Sequence, residues 1–160
     1  MKALEQMAKV CAIAAGILMT VITLMTCASL ASRNLIGLTL AGDFELTGAA
    51  TGAAIALFMP WCQFKRGNII VDFFTAKAST MRQAQLDRFG ALLVAMVMAF
   101  LTWRTVLGGL NAFRTQSGTM ILGFPEWIVY TCMVPGLALT ALIALVQAAR
   151  GFDPSEAAAS

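Results

Sequence analysis

The chain has 160 residues, of which 59% are hydrophobic and 12% are charged, with a net charge of +3 and a mean hydropathy of +0.81. Soluble domains carry about 25% charged residues, so this composition excludes a water-soluble globular domain and indicates an integral membrane protein. The absence of histidine excludes bis-histidine haem anchoring, imidazole proton relays and most zinc sites. Nucleic acid is a poor partner, because aromatic residues do not interleave with the basic ones.

Four long windows of the chain are free of charge, apart from one arginine in the third. A bilayer core of about 30 Å needs about 20 helical residues, and only a helix satisfies all of its own backbone groups in lipid. The prediction is an all-α membrane protein, with residues 1–150 as one four-helix domain and 151–160 as a flexible C-terminal tail. The predicted transmembrane helices are 10–32, 46–64, 89–111 and 126–148.

The first predicted span follows Lys2 and Lys9, as the apolar core of a signal peptide follows a basic start. That core is only about 7–15 residues long in a signal peptide, whereas this window has 23 uncharged residues. We therefore predict a retained transmembrane helix.

The second predicted span carries small residues at four-residue intervals, namely Gly48, Gly52 and Ala56. A stripe of this kind lets another helix approach closely, and close packing drives helix association in lipid. The stripe predicts a packing surface for a partner subunit or for another helix of the same chain.

After the second span, residues 68–86 combine an apolar face with a polar, basic one at helical spacing. The segment is too polar to cross a bilayer, which favours an amphipathic helix lying in the plane of the inner membrane surface. The alternative is a cytoplasmic extension of the second helix packed on the third. Anchors to anionic phospholipids are predicted at Trp61, Lys65, Arg66, Arg82 and Arg88.

Basic residues are distributed unequally between the two sides of the predicted membrane domain. Four crossings put both termini and the 65–88 segment on one side, which then holds eight of the eleven Lys and Arg residues. The positive-inside rule places that side in the cytoplasm.

Arg104 is the one charge inside a predicted span. It lies sixteen residues after Arg88, about 24 Å along a helix, and therefore in the outer part of the third span. One interpretation is a side chain that snorkels to the headgroups beside Trp103. The other is a buried pairing with Glu45, with Asp43 or with a partner subunit.

The four cysteines are single residues within the four spans: Cys11, Cys27, Cys62 and Cys132. Thiol–quinone oxidoreductases of the DsbB type share this length and helix number, but they need accessible cysteine pairs in outer loops. We favour cysteine as a small apolar filler. A redox enzyme using Cys27 and Cys132, which fall at similar depth, stays open as an alternative.

No predicted span has an acidic residue near its middle, although such residues usually mark proton or cation paths. The sequence accordingly predicts no catalytic residues, metal ligands, substrate site or cofactor. An autonomous four-helix exporter or channel stays open as a further alternative.

Several short motifs, in order along the chain, resemble those of a known protein family. The stretch "FELTGAATGAAIALFMPWCQFKRGNIIVDFF" resembles the second-helix signature of the small permease subunit (Q-type, DctQ-like) of tripartite ATP-independent periplasmic (TRAP) transporters. In that family a Glu-Leu pair opens the second helix and a Gly-x-His-Ile-x-Val-Asp-like string follows it. Asn68 departs from the pattern, since many members have histidine there. The family-motif positions, including the departing Asn68, are Glu45, Leu46, Gly67, Asn68, Val71, Asp72, Pro125, Trp127, Pro135 and Gly136.

The resemblance implies a subunit of a secondary transporter in the bacterial inner membrane. Q-type subunits pair with a large M-type permease subunit that holds the substrate and sodium sites. A periplasmic binding protein delivers the substrate, often an organic acid. The small subunit would then be a static scaffold, and its outer residues are candidate contacts for the binding protein: Arg33, Asp43, Arg114 and Glu126.

Overall fold

The computed structural model describes residues 2–37, 41–65 and 80–150. These residues form four helices and no β-strand, with one isolated bridge between Gly118 and Pro125. Each helix contains one of the predicted spans. The helices are α1 (Lys2–Ile36), α2 (Asp43–Phe64), α3 (Thr80–Thr115) and α4 (Glu126–Arg150).

Three helices in the described part of the chain, α1, α3 and α4, are long and apolar enough to cross a membrane. Helix α2 is not among them. It begins with two acidic residues, Asp43 and Glu45, and has Pro60 in its interior. Glycine and threonine residues within α2 further lower its mean hydropathy.

Helix α3 begins earlier than its predicted span, at Thr80 rather than at residue 89. Residues 80–86, which the sequence assigns to the amphipathic segment, are therefore the first two turns of α3. The rest of that segment and the C-terminal tail lie outside the described residues, as do Arg66, Gly67, Asn68, Val71 and Asp72.

Two glycines shape the turn that joins α1 to α2. Gly37 follows the last residue of α1 with a φ of 71°, and Gly42 precedes α2 with a φ of 86°. Both values lie in the left-handed region, where glycine alone carries no Cβ penalty. The Gly42 carbonyl accepts the N–H of Leu46 at 3.1 Å, which closes the first turn of α2.

The helices form an open row rather than a closed bundle. Helix α1 packs on α2, α2 packs on α4, and α4 packs on α3, while α1 touches α4 at only a few points. In a closed four-helix bundle each helix packs against two neighbours around a shared core. Here α1 and α3 stand at the two ends of the row, so each has a broad face that no other described helix covers.

The buried residues are small, and the large apolar ones face outward. Nine alanines are buried, among them Ala15, Ala54 and Ala144, which are fully buried. Leu, Ile, Val, Phe and Met side chains are widely exposed along α1, α3 and α4. Small residues at helix contacts and large apolar residues on the outside are typical of helices packed in lipid. The packing therefore agrees with the membrane class that composition indicates.

Threonine hydroxyls on the exposed faces are satisfied within their own helices. Thr20, Thr23, Thr105 and Thr131 each donate to the carbonyl four residues earlier, at 2.7–2.8 Å. An unpaired hydroxyl would be costly in hydrocarbon. Among the described residues, no buried side-chain nitrogen or oxygen lacks a hydrogen-bond partner.

Candidate helix-packing and partner surfaces

Helices α2 and α4 approach most closely at Gly136. A Cβ at this position would overlap the backbone of α2, at 2.6 Å from the carbonyl carbon of Ala56 and 3.0 Å from the nitrogen of Leu57. The two backbones are therefore in direct contact, and only glycine fits without moving them. Gly136 is one of the family-motif positions, but the sequence did not predict this contact. The feature of the sequence that could have indicated this contact is the Pro135-Gly136 pair inside an apolar span.

A pair of buried glutamines joins the same two helices near their C-terminal ends. The Nε2 of Gln63 donates to the Oε1 of Gln147 at 2.8 Å, and the Nε2 of Gln147 donates to the Gln63 carbonyl at 3.1 Å. Polar side chains between helices contribute about 0.6–2 kcal/mol in membranes. Hydropathy and motif spacing do not predict this glutamine pair, although each of the two spans has a single glutamine near its C-terminal end.

An apolar cluster brings α1, α2 and α4 together next to the glutamine pair. Ala8, Leu139 and Ile143 form its buried centre, and Trp61 and Phe64 pack against it. The N-terminal end of α1 thus meets the C-terminal ends of α2 and α4. This arrangement puts the start of α1 and the end of α4 at the same end of the molecule.

The predicted inner-edge anchors occupy different surroundings. Trp61 is half-buried and stacks on Phe64, with ring centroids 6.2 Å apart, and the Nζ of Lys65 lies 5.6 Å from the centre of the Trp61 ring. A cation over an indole face is favourable, so Trp61 fixes Lys65 at the end of α2. Arg88 is exposed on α3. The side chain of Arg82 is outside the described part of the chain.

The predicted stripe of small residues on α2 does not form one surface. Ala56 is buried against α4, Gly52 is half-buried and Gly48 is exposed. A Cβ on Gly48 or on Gly52 would meet nothing within 4 Å. Of the stripe, only Ala56 packs tightly inside this chain. Gly48 instead joins an exposed stripe on α2 with Phe44, Ile55, Phe58 and Cys62.

Asp43 bonds to α1 at the opposite end of α2. The Ser29 hydroxyl donates to the Oδ2 of Asp43 at 2.6 Å, and Ser29 is buried. A carboxylate in the first turn of a helix is also stabilised by the helix dipole. Asp43 therefore holds α1 and α2 together, whether or not it also contacts a binding protein.

Glu45 holds the connection between α3 and α4. Its carboxylate accepts the backbone N–H of Ile121 at 3.0 Å and that of Leu122 at 3.2 Å. It also bonds to the Thr119 side chain and to the Met120 backbone. Partial desolvation alone would raise the pKa of Glu45, but these hydrogen bonds together outweigh it and hold the pKa below its ordinary value.

The segment that Glu45 holds is a compact turn with an apolar tip. The N–H of Thr119 donates to the Phe124 carbonyl at 3.0 Å, and the N–H of Phe124 donates to the Thr119 hydroxyl at 3.1 Å. Met120 is 100% exposed at the tip. The family-motif residue Glu45 therefore fixes a distant part of the chain, which sequence spacing alone does not reveal.

Aromatic residues at the start of α4 pack on α3. Trp127, a family-motif position, contacts Phe113 edge to face with centroids 5.7 Å apart. The Tyr130 side chain covers Gly108 and Gly109, where an added Cβ would lie 3.2 Å from its Cε1 and 3.0 Å from its Cβ, respectively. Glycine at both positions leaves room for this large side chain between the two helices.

Two apolar grooves lie between α3 and α4, with volumes of about 320 and 500 Å³. Trp127 and Tyr130 line the first, and Trp103 and Leu142 line the second. Their linings are predominantly apolar, and threonine, tyrosine and tryptophan are the lining residues whose side chains carry a polar atom.

Arg104 is exposed on α3 and makes no hydrogen bond or ion pair with any residue that the structure describes. Asp43 and Glu45, its predicted partners within the chain, are engaged with Ser29 and with the α3–α4 turn. The predicted pairing inside the chain is therefore not formed. The other candidate outer residues are Arg33 and Arg114, which are exposed, and Glu126, which is half-buried.

All four cysteines lie in described helices and none is in a disulfide. Cys11 is half-buried, and the other three are exposed on the helix surfaces. In the described ranges no three metal-ligating side chains come together.

These observations define a helical membrane protein whose helices form an open row with uncovered apolar faces. The chain matches the family described as "Tripartite ATP-independent periplasmic transporters, DctQ component" over residues 22–153. It therefore belongs to the DctQ family, the small-subunit component of TRAP transporters. This family is a transporter component and not an enzyme family. Its members work in general with a large permease subunit and a binding protein. No curated protein and no solved structure matches the chain.

Proposed function

We propose that this chain is the scaffold subunit of a TRAP-type transporter in the bacterial inner membrane. It holds a large permease subunit, which takes up an organic acid with sodium after a periplasmic binding protein has delivered it. The observation that carries the proposal is the family match over residues 22–153. The open row of helices supports it, because a row offers faces that a larger membrane protein can cover.

All four helices cross the membrane in this proposal, with both termini in the cytoplasm. Helix α2 crosses although it is less apolar than the others, because α1 and α4 flank it and cover its small residues. The meeting of α1, α2 and α4 at one end supports an even number of crossings. Lys65 and Arg88 then lie at the cytoplasmic edge, where each basic residue gains about 1 kcal/mol from anionic lipid.

The exposed stripe of α2 that contains Gly48 is a candidate contact for the large subunit. Gly52 lies beside it, and a Cβ at either glycine meets open space. A partner helix that approaches there would find no large side chain in its way. In the isolated chain, replacing Gly52 by leucine should therefore change little.

The test compares the complex with the isolated chain. The small subunit is expressed with the large permease subunit, and the complex is purified through a tag on the small one. Proteoliposomes that contain both, with the binding protein and a sodium gradient, should take up the substrate. Liposomes with the small subunit alone should take up none. Uptake by the small subunit alone would contradict the scaffold role and favour an autonomous transporter.

Gly52→Leu separates partner binding from folding. We expect it to lower recovery of the large subunit by about tenfold, the equivalent of 1.4 kcal/mol. The melting temperature of the isolated small subunit should stay unchanged. Leu57→Met, a volume-conserving change on another side of α2, is the control. If Gly52→Leu recovers as much of the large subunit as the wild type does, this face of α2 is not part of the interface.

A further inference from the structure

The uncovered face of α3 carries a charge that has no partner among the residues that the structure describes. Exposed residues recur every three or four positions along this face, and all but two of them are apolar. The two polar members are Arg104 and Asn111. We call this set the α3 stripe: Leu93, Val97, Phe100, Arg104, Leu107 and Asn111.

The carboxylates of the described residues do not neutralise Arg104. Asp43 accepts the Ser29 hydroxyl, and Glu45 accepts the amides of the α3–α4 turn. Asp87 is on α3 itself, seventeen residues away, or about 25 Å along the helix. Glu126 begins α4 and precedes Trp127, whose ring contacts Phe113, nine residues further along α3 than Arg104. A counter-charge for Arg104 must therefore come from outside the described chain.

The direction of the side chain disfavours snorkelling. Arg104 lies seven residues, about 10 Å, inside the nearer end of the predicted span 89–111. That end of the span is the one nearer to the C-terminal end of α3. In a helix the Cα–Cβ bond tilts toward the N-terminus, so the side chain of Arg104 leaves the backbone pointing deeper into the bilayer. To reach the headgroups it has to fold back along the helix.

Arginines inside membrane spans almost always face protein or water and pair with another group. Arg104 instead faces away from the other described helices of its own chain. We therefore infer that the protein group which pairs with it belongs to another subunit. We propose that the large permease subunit docks on the α3 stripe and supplies a carboxylate that pairs with Arg104. The inference rests on the proposed function and adds the α3 stripe to the contact proposed on α2. The planar guanidinium suits two parallel hydrogen bonds to a carboxylate, and the apolar residues around it exclude water.

Three substitutions test the charge pair in the complex. Arg104→Leu should lower recovery of the large subunit by tenfold or more, because loss of one partner leaves a carboxylate buried and unpaired. Arg104→Lys should still recover part of the large subunit, since lysine keeps the positive charge but cannot make the two parallel hydrogen bonds of a guanidinium. Arg114→Leu, at the last turn of α3, is the control and should bind as the wild type does. The isolated Arg104→Leu chain should keep its melting temperature, since Arg104 makes no contact within the described chain.

Photo-crosslinking locates the contact directly. A benzophenone amino acid at Val97 or Leu107, on the α3 stripe, should form a covalent adduct with the large subunit. The adduct should weaken when Arg104→Leu is added. The same probe at Ile17, on the exposed face of α1, is the comparison position.

The outcomes are distinct. Adducts with phospholipid alone from Val97 and Leu107, or full recovery with Arg104→Leu, would overturn the inference in favour of a snorkelling arginine. Adducts with the large subunit from Ile17 but not from the stripe would overturn the inference and leave the proposed function standing. If the wild-type chain recovers no large subunit at all, the proposed function fails, and the inference fails with it.

Discussion

At the scale of single residues, the chain uses its few polar groups to fix helix ends to one another. Glu45 binds a turn that lies more than seventy residues later in the sequence, and Asp43 binds the buried Ser29. Glu45 is one of the positions at which the sequence resembles the DctQ motifs, and the structure supplies a physical reason for a carboxylate there. Its two oxygens accept several amides of one turn, which a neutral side chain of the same size cannot do equally well.

Glu45 should make the α3–α4 turn sensitive to acid. Its folded-state pKa lies below the ordinary value of 4.5. The ionised carboxylate therefore gives the turn a stability that is complete above that value and is lost as the pH falls through the lower, folded-state pKa. Hydrogen exchange of the Ile121 and Leu122 amides in detergent is the measurement. We expect protection at neutral pH and its loss in acid.

Glu45→Gln should show weaker protection at neutral pH and no further loss on acidification, since the amide does not titrate. Glu5→Gln, an exposed position in the first turn of α1, should behave as the wild type does. Equal protection in Glu45→Gln and wild type would mean that the turn folds without the carboxylate.

At the scale of helices, α2 and α4 make the tightest contact in the described structure. It combines the Gly136 backbone contact with the Gln63–Gln147 clamp and the apolar cluster around Ile143. Lipid offers little hydrophobic driving force between helices, so close backbone approach and buried hydrogen bonds determine which helices pair. This explains why α2 packs on α4 rather than on α3, the next described helix in sequence.

Gly136→Ala and Gly48→Ala are a matched pair that tests this contact. Both add one methyl group to a helix interior, where alanine is intrinsically favoured over glycine by about 1 kcal/mol. At Gly136 the new Cβ overlaps the α2 backbone, and overpacking of this kind costs about 1–3 kcal/mol. We expect Gly136→Ala to lower the melting temperature and Gly48→Ala to leave it unchanged or raise it. Equal melting temperatures would mean that α2 and α4 separate without cost.

At the scale of the whole molecule, the open row has two consequences. Each end helix has one broad uncovered face, so the chain has more partner-facing and lipid-facing surface than a closed bundle of the same length. The buried interior of the described helices consists mainly of alanines. An open row of helices therefore suits a subunit that supports another membrane protein.

The topology is tested by labelling single cysteines in a cysteine-free background. The four native cysteines form no disulfide, so replacing them should be tolerated. With both termini cytoplasmic, Gly118→Cys, between α3 and α4, should react with a membrane-impermeant maleimide in intact cells. Glu5→Cys should react only after the membrane is permeabilised. Labelling of both positions from outside would contradict an even number of crossings.

The sequence by itself determined the class of the protein and the approximate positions of the four described helices. Hydropathy and the spacing of charges are local properties, so the cores of α1, α3 and α4 follow from composition and length. The motif order from Glu45 to Gly136 likewise led to the DctQ family without any coordinates. Arg104 was recognisable as a misplaced charge for the same reason.

Only the tertiary structure decided which residues meet. The stripe of Gly48, Gly52 and Ala56 has the spacing of a packing surface, but the rotation of α2 about its axis divides it, with Ala56 buried and Gly48 exposed. Glu45 was a candidate partner for Arg104, yet the turn at Ile121 occupies it. Spacing along one helix fixes which side chains share a face. Which neighbour that face meets depends on the packing of all four helices, because in lipid most faces of an apolar helix are nearly equivalent.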